Sequence, residues 1–523
     1  MQEGLVSEAS SLAGHWGLGR LIVLYDDNSI TIDGDTELSF TEDVLKRYEA
    51  YGWHTQTVSD VTGSLEDLRQ AVAVAQGVTD KPSIIKIKTA IGYGSSKEGH
   101  HSAHGAPLGV DDIKATKKKF GLPEEELFYV PTEVQEYYNK AATRGESKRL
   151  AWEELFAKYT EAHPEKAAEL SRRFAHKLPE RLLDKLPVHV FGKDKDVASR
   201  KSSHMCLSTI GPEMPELIGG SADLTPSNLT DYDGVTSFQK DTPEGRYLHF
   251  GIREHAMVAI CNGLFAYGGL RPYCATFLVF TGYAMGSIRL SALSRFGVLF
   301  VMTHDSIGLG EDGPTHQPVE MLETLRSTPN LNVFRPADTN ETAGAYQVAL
   351  ESSTTPTVIC CSRSTLPALE KSSKEMACKG AYVAQDVDSP ALILIGTGSE
   401  VHVCVKAAEK LTASGIPTRV VSMPCQEVFL SQPDSYQRAV LPGTIPTLSV
   451  EASAAHGWHR FSHASVSMHE FGRSGKGDAV FALFGFTPEA VAGKGTELVE
   501  FYKKAGNVPD LNNRPNFFKL LEH

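Results

Sequence analysis

The sequence is short of sulfur, of long apolar runs and of excess positive charge, and each shortage removes a class of function. Eight cysteines are scattered through 523 residues; only Cys360 and Cys361 are adjacent, and no C-x-x-C pair occurs. A structural zinc site is therefore not expected, and free, mostly buried thiols of a reducing compartment are. No apolar stretch is long enough to span a bilayer. The formal net charge is −13, which argues against nucleic acid or an anionic membrane as the main partner while leaving room for a local basic pocket that holds a small anion. Met1-Gln2-Glu3-Gly4 has neither the basic stretch nor the apolar core of a signal peptide. What is present is an ordinary globular composition, 41% hydrophobic and 22% charged, over a length that suggests about three domains.

Strands and helices alternate along the whole chain. Residues 21–25 (L-I-V-L-Y) read as a strand buried on both faces. Helical periodicity over 64–76 leads to another strand within 82–90, which makes one βαβ unit. The polar, charged, helix-rich stretch 110–187 reads as a solvated connection. A second region, 193–363, carries apolar runs at 216–220, 297–303 and 356–361, with a helix from Glu254 to Tyr267 between them. A third opens near Ala391 with strand, glycine turn, helix and strand. The expected fold class is α/β, with three parallel-sheet domains. Ligands of such sheets sit beyond the carboxyl ends of the strands.

Five polar clusters follow strands or open helices. Asp26-Asp27-Asn28-Ser29-Ile30 offers oxygens for a hard cation such as Mg²⁺, and equally reads as an Asp/Asn turn. G-H-H-S-A-H-G-A-P at 99–107 has histidines poorly spaced for zinc but suited to proton transfer or ligand contacts, or to an exposed loop. I-G-G-S-A-D-L-T-P-S-N-L-T at 218–230, with Asp223, Ser227 and Asn228, suits phosphate binding as well as ordinary turn and cap chemistry. Arg253, Glu254 and His255 stand where a helix begins, and a Glu there is normally a dipole partner. The fifth cluster, T-H-D-S-I-G-L-G-E-D-G-P-T-H-Q-P at 303–318, contains G-x-G-x-x-G after a strand. Glu311 and Asp312 inside that loop would repel a pyrophosphate, and Pro314 and Pro318 do not open the required helix, so the dinucleotide interpretation fails. His304, Asp305, Glu311, Asp312 and His316 instead offer acids, bases and hydrogen-bonding groups for a polyol. Arg200 and Arg363 suit bidentate phosphate binding, or surface ion pairs.

The segments D-G-D-T (33–36), R-Y-E-A-Y-G-W (47–53), H-G-A-P-L (104–108), G-G-S-A-D-L-T-P-S-N (219–228), G-I-R-E-H-A-M (251–257), R-L-S-A-L-S (289–294) and 303–318 resemble, in order, those of transketolases. The resemblance spans nearly the whole chain. It implies transfer of a two-carbon ketol unit from a ketose phosphate to an aldose phosphate through a thiamine diphosphate carbanion, as in the pentose phosphate or reductive pentose phosphate pathway. It implies thiamine diphosphate with Mg²⁺ (or Ca²⁺ or another divalent ion), and a homodimer with active sites between subunits, to which Glu3 and Glu8 would contribute contacts. The implied domains are 1–163, the remainder of the diphosphate-binding domain plus linker; 164–373, pyrimidine-binding; and 374–523, C-terminal. Residue by residue, Glu254 would face the aminopyrimidine ring, with Phe277, Phe280 and Tyr283 packed around it and Asp223 on the cofactor side. Asn28 and the carbonyl of Ile30 would ligate the metal. His104 would contact cofactor and substrate, and His316 would move protons or bind the donor. Asp312 would read a substrate hydroxyl, and Arg200, Ser227, His304 and Arg363 would bind the substrate phosphate.

One departure stands beside the resemblance. In the family the run M-Q-E-G-L-V-S-E-A-S-S-L-A-G-H follows a Gly-Asp-Gly motif that supplies a metal ligand and holds the diphosphate, and that motif and the histidines upstream of it are absent here. The chain is thus expected to be N-terminally truncated, to expose apolar surface and to bind cofactor weakly. Two alternatives follow: a dihydroxyacetone synthase-type ketolase, and a non-catalytic truncated paralogue. The expected compartment is cytoplasmic, with plastid or another organelle open because a transit peptide would lie upstream.

Overall fold

The computed structural model describes residues 1–513. They fall into two units: Met1–Ser171 with Gln239–Pro243, and Arg172–Phe238 with the chain from Glu244 on. The last residues of the third expected domain, 514–523, lie outside the described residues.

The first unit holds three parallel strands, β1 (Ile22–Asp27), β2 (His54–Val58) and β3 (Ser83–Lys88), in the order β1-β3-β2. Only the central strand is buried on both faces. Ile84 joins Ala13, Val44, Tyr48 and Trp53 on one side, while Ile85 and Ile87 join Val58, Ala71 and Ala75 on the other. This corrects the expectation for 21–25: β1 is an edge strand, and its Leu24 is 52% exposed. The unit also contains two crossovers rather than one, through the helices Val44–Ala50 and Glu66–Gly77. The unexpected strand, H-T-Q-T-V, has no apolar run, because an edge strand need only pair with β3 and bury one face. Beyond β3 the chain is helical, as its charge pattern predicts. The long helix Thr132–Ala162 has no buried residue.

The second unit carries two larger sheets and a short antiparallel pair, β4 (Val197–Ala198) with β11 (Thr365–Leu366). The first large sheet comprises β5 (Leu217–Ser221), β6 (Tyr247–His249), β7 (Arg271–Phe277), β8 (Leu299–Thr303), β9 (Asn332–Phe334) and β10 (Thr357–Cys361). These strands are parallel, in the order β6-β5-β7-β8-β10-β9. Every residue of β7, β8 and β10 is buried, which is why β8 and β10 read as apolar runs; β7, R-P-Y-C-A-T-F, carries no such run and is unexpected. One face packs Tyr273, Val301 and Ile359 against Leu207, Ile210 and Tyr346 from flanking helices.

The second large sheet comprises β12 (Tyr382–Gln385), β13 (Leu392–Gly396), β14 (Thr418–Ser422), β15 (Thr447–Val450) and β16 (Ala464–Val466), in the order β12-β14-β13-β15-β16. Four of these strands are parallel, but β12 runs antiparallel to β14. The third region is therefore a mixed sheet, a common form in which an antiparallel edge strand joins a parallel core. Seven of the eight cysteines are buried and all are free, matching the reading of their scatter. No helix among the described residues is long and apolar enough to cross a membrane.

Candidate functional site

Strand register brings the chemistry of the second unit together. Thr303, the last residue of β8, pairs with Phe277 of β7 on one side and with Cys361 of β10 on the other. His304 therefore leaves the sheet between Phe277 and the segment that reaches Arg363 two residues past β10. The backbone of His304 is left-handed, with φ 63°. That conformation turns its ring flat against Phe277, with centroids 3.8 Å apart, and leaves the residue 3% exposed.

A relay of hydrogen bonds fixes the tautomer of His304. Asn228 Nδ2 donates to Ser221 Oγ at 3.0 Å, and Thr303 Oγ1 donates to Asn228 Oδ1 at 2.6 Å. The one hydroxyl hydrogen of Thr303 is thereby committed, so Thr303 Oγ1, 2.8 Å from His304 Nδ1, accepts from it. Nδ1 carries the proton and Nε2 is left as an acceptor. Burial first, then the positive charge of Arg200, Arg363 and His316, pushes the His304 pKa down to about 3. The ring is neutral at pH 7.

Both arginines are placed by the fold. Arg200 stands in the first turn of the helix Ser199–Ile210, and its Nη1 donates to the carbonyl of Ser227 at 2.7 Å. Arg363 donates to the carbonyl of Leu309. Burial, then the charge of Arg363, lowers the pKa of Arg200. Among the described residues neither guanidinium is ion-paired with a carboxylate. Two unneutralised arginines that bear on the same buried histidine form an anion site, and their planar forks suit a phosphate.

An aromatic wall adjoins this cluster. Phe277 and Phe280 stack with centroids 5.8 Å apart and planes 13° apart, and Tyr283 follows 6.2 Å from Phe280. The His316 ring stands edge-on to Phe280 at 5.4 Å and to Phe277 at 6.1 Å. Tyr283 is 69% exposed, so the wall presents a ring face rather than a sealed core. Glu254 is the first residue of the helix Glu254–Tyr267 and is buried. That helix lies along Thr281–Leu293, the helix that follows Phe280: Asn262 Nδ2 donates to the Ser287 carbonyl at 3.0 Å, and Ser291 Oγ donates to Asn262 Oδ1 at 2.5 Å.

The loop after β8 opens no helix at its glycines. A short turn, Ile307–Leu309, leads through Gly310 (φ 103°) and Gly313 (φ 75°), and the next helix starts only at Met321. Glu311 and Asp312 are exposed on this loop. Asp305 does not join them. It is buried and its Oδ2 accepts from Arg335 Nε at 2.9 Å, so it belongs to the support behind the site and not to a set of groups for a polyol. Asp223 lies on the exposed turn after β5 with φ 60°, and Ser227 contributes its carbonyl to Arg200.

In the first unit, Asn28 Oδ1 accepts from the Ile30 backbone at 3.0 Å, an Asx turn that leaves the second lone pair of the same oxygen available. The neighbouring acids are occupied: Asp27 pairs with Lys86 at 3.1 Å and Lys88 at 3.5 Å, and Asp26 accepts from the hydroxyl of Thr89. His104 is exposed and ends the turn His101–Ala103. Asn28 and His104 thus follow the carboxyl ends of the adjacent strands β1 and β3. Sequence inspection misses the supporting residues Arg335 and Gln317 and the role of Thr303; none has a local pattern, since each acts on residues brought near by the fold.

The arrangement is that of a parallel α/β enzyme with an anion grip and an aromatic wall at the strand ends, and comparison with known proteins agrees. Residues 1–179 match the family model described as transketolase, thiamine diphosphate binding domain; 195–368 match transketolase, pyrimidine binding domain; and 380–487 match the transketolase-like C-terminal domain. The chain is 51% identical over 510 residues to transketolase 1 of Saccharomyces cerevisiae, covering 96% of this chain and 75% of that one. A crystal structure of the Pichia stipitis transketolase with sedoheptulose-7-phosphate superposes with a TM-score of 0.96 at 49% identity, covering 99% of this chain and 77% of that one. Another from the same yeast, with xylulose-5-phosphate, also gives 0.96, at 48% identity over 99% of this chain and 77% of that one. The chain belongs to the transketolase family.

Proposed function

We propose that this chain transfers a two-carbon ketol unit from a ketose phosphate to an aldose phosphate, using thiamine diphosphate and a divalent cation such as Mg²⁺ within a homodimer. The observation that carries the proposal is the unneutralised Arg200–Arg363 pair around neutral His304, set directly against the Phe277–Phe280 wall and His316. The ligands of similar proteins support it, since relatives are crystallised with sedoheptulose-7-phosphate and xylulose-5-phosphate. The domain division at 163/164 and 373/374 is supported by one main sheet in each part. A cytoplasmic location, with a plastid as the alternative, is consistent with relatives of which one, from Solanum tuberosum, is named chloroplastic.

The residues present suit the pyrimidine end of the cofactor and supply part of the metal's donor set. A flat wall with one exposed ring face takes a heteroaromatic ring, and a carboxylate buried at a helix start suits a hydrogen bond to a ring nitrogen. Asn28 and the Ile30 carbonyl supply hard oxygen donors for the cation. When bound, thiamine diphosphate supplies the carbon nucleophile and electron sink that protein side chains lack. Everything else falls to the chain. Glu254 holds the ring nitrogen and its proton. Arg200 and Arg363 grip the phosphate and fix the length of sugar that reaches the wall. His316 and His104 move protons at the substrate oxygens, and Asp312 accepts from a sugar hydroxyl. The test is a coupled assay with xylulose 5-phosphate and ribose 5-phosphate. Parallel double-reciprocal plots are expected, and intersecting plots would count against transfer in two half-reactions. Formaldehyde as the preferred acceptor would instead favour a dihydroxyacetone synthase.

Two further results are expected from the anion grip. Arg363→Ala should raise KM for phosphorylated substrates about 10–100-fold while leaving kcat for an unphosphorylated ketose within about twofold, because a charged hydrogen bond of roughly 1.5–3 kcal/mol is lost only when phosphate is present. Steady-state kinetics on the two substrates check this. Phosphate binding should also draw in a proton. His304 is neutral because burial and two arginines disfavour the charged ring, and a phosphate dianion cancels the arginine part. The His304 pKa then rises by the arginines' share, while burial, the larger cause, still holds it below its ordinary range, and on the acid side the complex takes up a proton at Nε2. Calorimetry with sulfate, a dianion with no titrating proton in this range, in buffers of different ionisation enthalpy should show uptake below about pH 6 that shrinks in Arg200→Ala.

A further inference from the structure

The loop 307–317 carries Asp312 and His316, yet its own backbone bonds are few, and glycines at 308, 310 and 313 leave it free to hinge. What holds it is a side chain with no role so far. Gln317 is 1% exposed. Its Nε2 donates to the carbonyls of Ile307 (3.3 Å), Gly310 (3.3 Å) and Arg473 (3.0 Å). Two amide hydrogens are thus shared among three carbonyls, two on the site loop and one on the segment that follows β16. The other end of the amide, Oε1, is buried and has no hydrogen-bond partner. A Cβ on Gly472 would stand 1.8 Å from it, so only glycine lets the segment close over the amide. The same segment is fastened once more, by Ser474 Oγ donating to the Glu311 carbonyl at 2.5 Å, and it approaches the loop closely at Gly477, where a Cβ would lie 2.6 Å from the Gly308 carbonyl.

A buried amide with an unsatisfied oxygen costs about 1–3 kcal/mol. Its retention points to what the other end does. Ile307 and Gly310 flank Leu309, whose carbonyl receives Arg363, and a Cβ on Gly310 would stand 3.4 Å from Arg363 Nη1. One amide therefore spans the loop between the phosphate grip and the Asp312–His316 end, and ties both to the C-terminal sheet. We propose that Gln317, seated against Gly472, is a positioning residue that sets the distance between the phosphate grip and the proton-handling end of the site, so that the segment 470–477 of the C-terminal region is part of the active-site machinery. This rests on the ketol-transfer reading above.

The experiment compares Gln317→Leu, Gly472→Ala and Ser474→Ala in the full chain. The wild-type chain is assayed first, and absence of ketol transfer there counts against the parent reading alone. Hydrogen exchange by mass spectrometry then judges the proposal without reference to activity. Peptides covering 306–319 should exchange at least about tenfold faster in Gln317→Leu and Gly472→Ala, with β8 and β10 unchanged. In the active enzyme kcat/KM for the ketose phosphate should fall about 10²-fold, the scale of a misplacement of about 1 Å. The loss should shrink to a few-fold in an Asp312→Ala background, since a residue that acts through another is non-additive with it. Ser474→Ala, at the exposed end of the joint, should show a smaller loss of the same kind and keeps the test open if the buried variants fail to fold. Unchanged exchange over 306–319, or a loss fully additive with Asp312→Ala, overturns the proposal.

Discussion

Replacing Glu254 with glutamine is expected to lower kcat/KM for ketol transfer by about 10²–10⁴-fold, with the melting temperature nearly unchanged. Glutamine keeps the shape and burial of the side chain and removes only its charge and its capacity to hold a proton. A glutamate at the head of a helix also has a plain structural value, because it complements the positive end of the dipole. That value is roughly 0.3–1 kcal/mol for an ordinary first-turn acid, far below the roughly 2.7–5.5 kcal/mol that a loss of about 10²–10⁴ represents. The two roles therefore separate by magnitude. Kinetics and thermal unfolding of the same variant decide between them: a shift of several degrees with less than about a tenfold loss of kcat/KM would assign Glu254 to helix capping and remove it from the chemistry.

Glu254 is legible in the sequence because its signal is local. A short polar run, R-E-H, ahead of an apolar helical face marks a helix start, and the helix does run from Glu254 to Tyr267. The apolar runs at 216–220, 297–303 and 356–361, which the structure places as strands at 217–221, 299–303 and 357–361, are legible for the same reason, since a central parallel strand must bury both faces. The strand His54–Val58 has no such signature, because half of it faces outward at a sheet edge, and it shows only through its pairing with β3. Asp305 reads wrongly as a ligand-facing acid for a related reason. Its neighbour His304 does enter the site, and nothing in the local sequence says that the next side chain points the other way, toward an arginine thirty residues on. Gln317 is hidden similarly: its three acceptors are spread over residues 307 to 473, and only the folded chain brings them to one amide.

Arg335→Met is expected to destabilise the second unit by about 3–5 kcal/mol at neutral pH, because it removes one partner from a buried charge network. Arg335 is fully buried. Its Nε donates to Asp305 at 2.9 Å, its Nη2 to Glu400 Oε1 at 3.2 Å and its Nη1 to Thr397 Oγ1 at 2.9 Å, and Glu451 lies 4.0 Å away. Glu451 is shared with Arg326, by two bonds of 2.8 Å, and with the indole N–H of Trp458 at 2.8 Å. Arg335 follows β9 of the six-stranded sheet, whereas Glu400 and Glu451 follow β13 and β15 of the five-stranded one, so the network clamps the two sheets directly behind His304. Burial opposes ionisation of Glu451, but Arg326 and Arg335 outweigh it and hold this carboxyl below its ordinary range. A carboxylate of that kind contributes stability above the unfolded-state pKa and loses it as pH falls through the folded one. In Arg335→Met part of that contribution is gone. Asp305, whose pKa burial already raises against the pull of Arg335, binds a proton more readily still. The difference between wild type and variant should accordingly be largest near about pH 7 and shrink as pH falls from about 4 toward about 2, where the folded Glu451 carboxyl also takes up its proton. Urea unfolding at the two pH values measures it. Because Asp305 adjoins His304, KM for the phosphorylated ketose should rise in the same variant, and a second change, Asp305→Asn, should recover part of the stability by removing the charge left without its partner. A difference that is equal at both pH values would mean that lost packing around the substituted side chain, rather than stranded charge, sets the cost.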